Sequence, residues 1–108
     1  MSAGFTTQLR AQRETIRLVP EGKLAITIRV EMPEVWDTVR FVVSPDEPVI
    51  TVKQRALEAL FPEAEIHADF VLKLRGWEIL DEGAPLSDIG VVNGSILLLT
   101  HRRKRPVR

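Results

Sequence analysis

The sequence predicts an α+β domain in which a mixed sheet of four to five strands wraps over one α-helix. Three observations lead there. Apolar residues alternate with period two in two runs before residue 45, their period changes to about 3.6 between residues 49 and 60, and the alternation returns twice after residue 70.

The first twenty residues mix small, polar and arginine side chains with too few apolar positions at helical spacing for a helix, so residues 1–21 read as an N-terminal extension. Its end can add an edge strand, because Ile16 and Leu18 alternate with Thr15, Arg17 and Val19 before Pro20 and Gly22 force a turn. Ile26, Ile28 and Val30 then alternate with Thr27, Arg29 and Glu31, as expected of a strand covered on one face. Val39, Phe41 and Val43 repeat the pattern with Arg40 facing away, and residues 32–37 join the two strands as a long hairpin loop. Beyond Ser44-Pro45, Val49, Val52, Ala56, Ala59 and Leu60 fall on one side of a helix that Pro62 ends, with Thr51 and Gln54 spaced as a capping box. Three turns are too few for a stable isolated helix, so its stability must come from lying across the sheet.

Phe70, Leu72 and Leu74 alternate with Val71, Lys73 and Arg75, giving a strand expected to run to Gly76, where a positive φ lets the chain turn. A short segment over residues 77–80 and the loop Asp81-Glu82-Gly83-Ala84-Pro85 follow. Leu86-Ser87-Asp88-Ile89-Gly90 reads as one helical turn, with Leu86 and Ile89 filling the core, Ser87 capping and Gly90 closing it. Asn93-Gly94 is a tight-turn dipeptide, and residues 95–100 form the last strand, Leu97 and Leu99 on one face and Leu98 and Thr100 on the other. The order β-β-α-β-β, with the first and last full strands parallel at the sheet centre, is a β-grasp.

These residues resemble the ubiquitin-like family over about residues 24–102. The helix start Thr51-Val52-Lys53, the strand and turn Leu72-Lys73-Leu74-Arg75-Gly76, and above all Leu86-Ser87-Asp88-Ile89-Gly90-Val91-Val92-Asn93-Gly94-Ser95-Ile96-Leu97 are similar to ubiquitin-like signatures in order and spacing. The last stretch is also similar to the YukD-like ubiquitin-like proteins associated with bacterial type VII secretion, which suggests a bacterial branch. The resemblance implies partner binding on the exposed sheet face, where the matching positions carry Lys73, Arg75, Leu98 and Thr100. Conjugated members end in Gly-Gly, whereas residues 100–108 contain no glycine, so conjugation by the usual route is not expected.

Charge is unevenly spread. Lys and Arg balance Asp and Glu at fifteen each, yet residues 21–100 hold seven basic and fourteen acidic side chains, while Arg102, Arg103, Lys104, Arg105 and Arg108 make residues 102–108 a basic C-terminal tail. The domain proper is then residues 22–101. Such a tail suits nucleic acid, an anionic membrane or an acidic protein surface, although a solvated tail is the plainer reading and nucleic acid a lesser alternative. The longest apolar run, residues 96–99, falls far short of the ~20 residues of a membrane span, and no signal-peptide core precedes it, so neither membrane insertion nor export is expected and a cytoplasmic location is.

Chemistry-bearing patterns are absent. With no cysteine there is no disulfide, thiol nucleophile or zinc-thiolate site. His67 and His101 lack partners at ligand spacing, Ser44, Ser87 and Ser95 fall in turns, and Asp81-Glu82 and Glu63-Ala64-Glu65 read as solvated acids. No phosphate loop exists. The expectation is therefore a protein that is not an enzyme, takes no cofactor or metal, and is a monomer or weak homo-oligomer binding an acidic protein partner. Trp36 and Trp77 complete the candidate surface as interface anchors, against the plainer reading that each packs over the sheet or on the extension. A type VII secretion-like accessory role, a small subunit of a multicomponent enzyme, and an unconventional covalent modifier are the alternatives.

Overall fold

The alternating runs become six strands of one mixed sheet in the computed structural model, which describes residues 15–102. The elements are β1 (Thr15–Arg17), β2 (Ile26–Met32), β3 (Asp37–Val43), α1 (Val49–Leu60), β4 (Phe70–Leu74), β5 (Trp77–Glu78) and β6 (Ile96–His101). Across the sheet the order is β1-β3-β2-β6-β4-β5, so the four to five strands expected become six once β1 and the two-residue β5 both pair. The parallel pair β2 and β6 forms the centre, as the sequence predicts.

One parity of each strand builds the core. Ile28, Val30, Met32, Val39, Phe41, Val43, Leu72, Leu74, Leu97 and Leu99 are buried against Val49, Val52, Ala56, Leu57 and Leu60 of α1. Leu57 joins the predicted helical stripe, while Ala59 is only half-buried at its rim. Leu86, on the short turn after the long loop, closes the core from below and is fully buried.

β1 runs parallel to β3, with Ile16 level with Phe41, and the Leu18 N–H donates to the Val42 carbonyl at 2.8 Å. It covers the β3 edge, which would otherwise present a row of unpaired backbone groups to other chains. Ile16 and Leu18 pack on the core, which is what holds so short a strand in place.

The helix starts three residues earlier than the capping-box spacing predicts, with Pro48 in place of Thr51 at the N-cap, and no side chain caps it. Its orphan amides are met by backbone instead: the Val49 N–H donates to the Ala84 carbonyl at 3.0 Å and the Ile50 N–H to that of Glu82 at 2.7 Å. The same loop fixes a charge. Lys53, 1% exposed, donates from Nζ to Glu82 Oε2 and to the Phe70 carbonyl, both at 2.8 Å. Glu82 is therefore an internal partner, not the solvated acid expected of the Asp81-Glu82 pair. Ser87 does not cap the 86–89 turn either; its hydroxyl is exposed and Pro85 takes the cap position.

One turn departs from the expectation and another, at Asn93-Gly94, meets it. β4 stops at Leu74, because Arg75 and Gly76, at φ +52° and +86°, are the two central residues of a tight hairpin pairing Leu74 with Trp77. At the other end of the sheet, Asn93 Oδ1 accepts the Thr27 N–H at 2.8 Å and the Gly94 N–H donates to the Thr27 carbonyl at 2.7 Å, which ties this turn to the start of β2.

Candidate functional site

Register decides which side chains share the outer face of the sheet. Glu31, Leu98, Lys73 and Glu78 stand in one row across β2, β6, β4 and β5, and Thr100 stands opposite Val71 in the next. Val71 is only 3% exposed although it points away from the core. It lies in an open depression walled by Glu34, Lys73, Glu78, Thr100, His101 and Arg102.

Two latches hold the walls. Glu34, on the turn between β2 and β3, accepts the Thr100 hydroxyl at 3.0 Å and the His101 N–H at 3.2 Å through Oε2. Across the depression the Arg102 guanidinium meets Glu78 Oε2 at 2.9 Å, and the Arg102 N–H donates to the Asp69 carbonyl. Arg102 is thus tied to β5 and to the residue before β4, while Arg103, Lys104, Arg105 and Arg108 lie outside the described residues. The ring of His101 stands edge-on to Phe70, centroids 4.9 Å apart.

The Glu34 latch is pH-dependent. Burial by itself raises this carboxyl, but the His101 N–H, its own backbone N–H, the Thr100 hydroxyl and the charge of His101 outweigh it, and the group lies below the ordinary glutamate value. A carboxyl lowered on folding contributes stability that is complete above its unfolded value and is lost as pH falls through its folded value. Acidification is thus expected to loosen the turn, read as a roughly threefold faster exchange of the His101 amide, and Glu34→Gln to do the same at neutral pH. An unchanged His101 amide in that variant would show that the latch holds nothing.

The candidate residues divide between two places. Lys73, Thr100 and Arg102 line the depression, and Leu98 adjoins Lys73 in the row. Arg75 does not share their face, as the sequence reading assumed: from its left-handed turn the guanidinium reaches over Gly90, where an added Cβ would meet Arg75 Nη2 at 3.4 Å. Arg75 and Trp77 line a second, smaller depression with Leu74, Ile79, Leu80 and Ile89, and Glu78 is common to both. Trp36 and Trp77 are 88% and 80% exposed, so neither packs over the sheet. Trp36 also holds a φ of +55°, an uncommon conformation for so bulky a residue.

Among the described residues no group of three or more His, Asp or Glu could hold a metal ion, and no helix is long and apolar enough to cross a membrane. Ser44 and Ser95 serve their turns, accepting the Asp46 and Val92 N–H groups at 3.1 and 2.9 Å. Sequence reasoning missed Val71, Glu34 and Glu78. The signal for Val71 was its outward parity, but its burial depends on Glu34 and Arg102 arriving from distant segments.

Comparison with solved structures adds the decisive likeness. The ubiquitin-like domain of an Arabidopsis thaliana protein superposes with a TM-score of 0.61 at 17% identity, over 82% of this chain and 89% of that one. Caldiarchaeum subterraneum ubiquitin gives 0.61 at 17%, over 77% and 100%. The fold is the ubiquitin-like β-grasp. A third ubiquitin-like neighbour, the UBL domain of Plasmodium falciparum Dsk2, gives 0.58 at 18%, over 72% and 99%. No protein-family model matches the chain, and no curated protein matches it significantly in sequence. Within the ubiquitin-like frame the outer-face depression lies on the sheet surface formed by β4 and β6, and nothing in these likenesses bears on a YukD-like relationship.

Proposed function

We propose that the chain is a non-catalytic ubiquitin-like interaction module, an adaptor or accessory protein that binds a protein partner non-covalently on its outer sheet face. The observation that carries this reading is the latched depression around Lys73. Leu98, half-buried beside Lys73, supplies apolar contact, the Lys73 ammonium has no carboxylate within 4 Å among the described residues, and Glu34 and Arg102 already fix the walls. A surface ordered beforehand loses little conformational freedom on binding. Trp36 adds an exposed indole on the turn that forms one wall, a residue type enriched where interfaces are anchored.

A type VII secretion-like accessory role or a place in a multicomponent enzyme would use the same docking chemistry with a different partner. Covalent attachment to other proteins is the remaining alternative. A tagged pull-down from the native cell, washed under native and under fully denaturing conditions, tests the proposal. The expected partners are lost under denaturant and fall at least tenfold in Lys73→Glu/Leu98→Asp, a change worth roughly 1.4 kcal/mol or more, with the circular dichroism of the variant unchanged. Proteins that stay attached through denaturant would make the chain a covalent modifier, and partners retained by the variant would move the site to another face.

A further inference from the structure

The two depressions leave one end of the outer face unexplained. Arg29 on β2 and Arg40 on β3 stand directly opposite each other, and Arg17 on β1, level with Val42, lies one pleat further along. All three are exposed, and among the described residues none has a carboxylate within 4 Å. Like charges directly across a strand pair are destabilising. Acids were plentiful, fourteen of them in residues 21–100, yet the one on the same face of β2, Glu31, stands opposite Thr38 and Leu98.

We infer that the Arg17, Arg40 and Arg29 diagonal is a binding site for an acidic segment of a partner protein, distinct from the Lys73 depression. Arg29 and Arg40 line a cleft of about 90 Å3 together with Thr27, Gly94, Ser95 and Ile96. That is far below the roughly 300–1,000 Å3 of a small-molecule site and suits single carboxylates. The planar guanidinium fork matches a carboxylate in two parallel hydrogen bonds. Ile96, level with Arg29 and 49% exposed, offers an apolar contact beside the charges, as an acidic segment with interleaved apolar residues would use. Nucleic acid is the poorer occupant, because the acid excess of residues 21–100 repels an extended polyanion more than a short acidic peptide. β1 contributes to the site directly, since without it the diagonal would lack Arg17.

The test is a 15N NMR titration of the full chain at low salt with a capped heptapeptide of alternating glutamate and leucine. Saturable shifts at Thr27, Arg29, Arg40 and Ile96 are expected, at least about tenfold weaker binding in Arg29→Glu and in Arg40→Glu, and none by the glutamine version of the peptide. Lys73→Glu should leave this binding unchanged, which separates the site from the depression. Arg40→Glu should also raise Tm, because Arg29 would then face an opposite charge. The proposal is overturned by the absence of saturable shifts, by shifts centred on Lys73, or by tighter binding of single-stranded oligothymidylate at the same residues. A lower Tm in Arg40→Glu would likewise overturn it, showing that the arginine pair serves the fold.

Discussion

Truncating Lys53 to alanine is expected to destabilise the domain by about 2–4 kcal/mol, read from urea unfolding with an unchanged m-value. The ammonium joins three segments: α1, which carries it, β4 through the Phe70 carbonyl, and the 81–85 loop through Glu82. Without it the Phe70 carbonyl loses its charged donor, the packing of the aliphatic stem goes, and a carboxylate is left without its cation. The side chain of Glu82 is 23% exposed, so water recovers part of the loss, and the estimate sits below that for a fully buried pair. Lys53→Met should cost less, because it keeps the stem. If Lys53→Ala and Lys53→Met were equally damaging, the stem would be irrelevant and the charge would carry the whole effect.

Phe41→Ala is expected to cost about 3–5 kcal/mol and to lower Tm by roughly 15 °C or more. Phe41 is wholly buried in the middle of β3, with Ile16 of β1 level with it on one side and Ile28 of β2 on the other. Neither neighbour is long enough to fill the space of a phenyl ring, so a cavity remains. Since a domain of this size commands about 5–15 kcal/mol in total, this one substitution brings it near the threshold of folding. A loss under about 1 kcal/mol in calorimetry would mean that β3 is not packed as described.

The strands could be read from the sequence because each has one buried face, which writes period two directly into residues such as Ile28, Val30, Phe41 and Leu97. The parallel centre was legible for the same reason, once a helix had to be laid over the sheet. What escaped depended on partners far along the chain. Lys53 looks like any helical surface lysine until Glu82, twenty-nine residues on, is brought to it. Thr51 offered a capping hydroxyl, but the carbonyls of Glu82 and Ala84 reached the helix end first. Arg75 kept the alternation of β4 in its sequence and lost it to the left-handed turn. At the candidate site, Lys73, Leu98 and Thr100 were legible from parity alone. Facing arginines at positions 29 and 40 need the exact hairpin register, which a loop over residues 33–36 does not announce.

β1 has an implication for the order in which the chain assembles. Among the described residues β1 pairs with β3 alone, and the whole of β2 lies in the chain between them. Closing that loop costs chain entropy for only three residues of pairing, so β1 is expected to dock after the β2–β3 hairpin and to be unformed in the folding transition state. Weakening β1, for instance by Ile16→Ala, should therefore leave the refolding limb of the chevron where it is and raise the unfolding limb alone, so that β1 governs how long the native state lasts and not how quickly it forms.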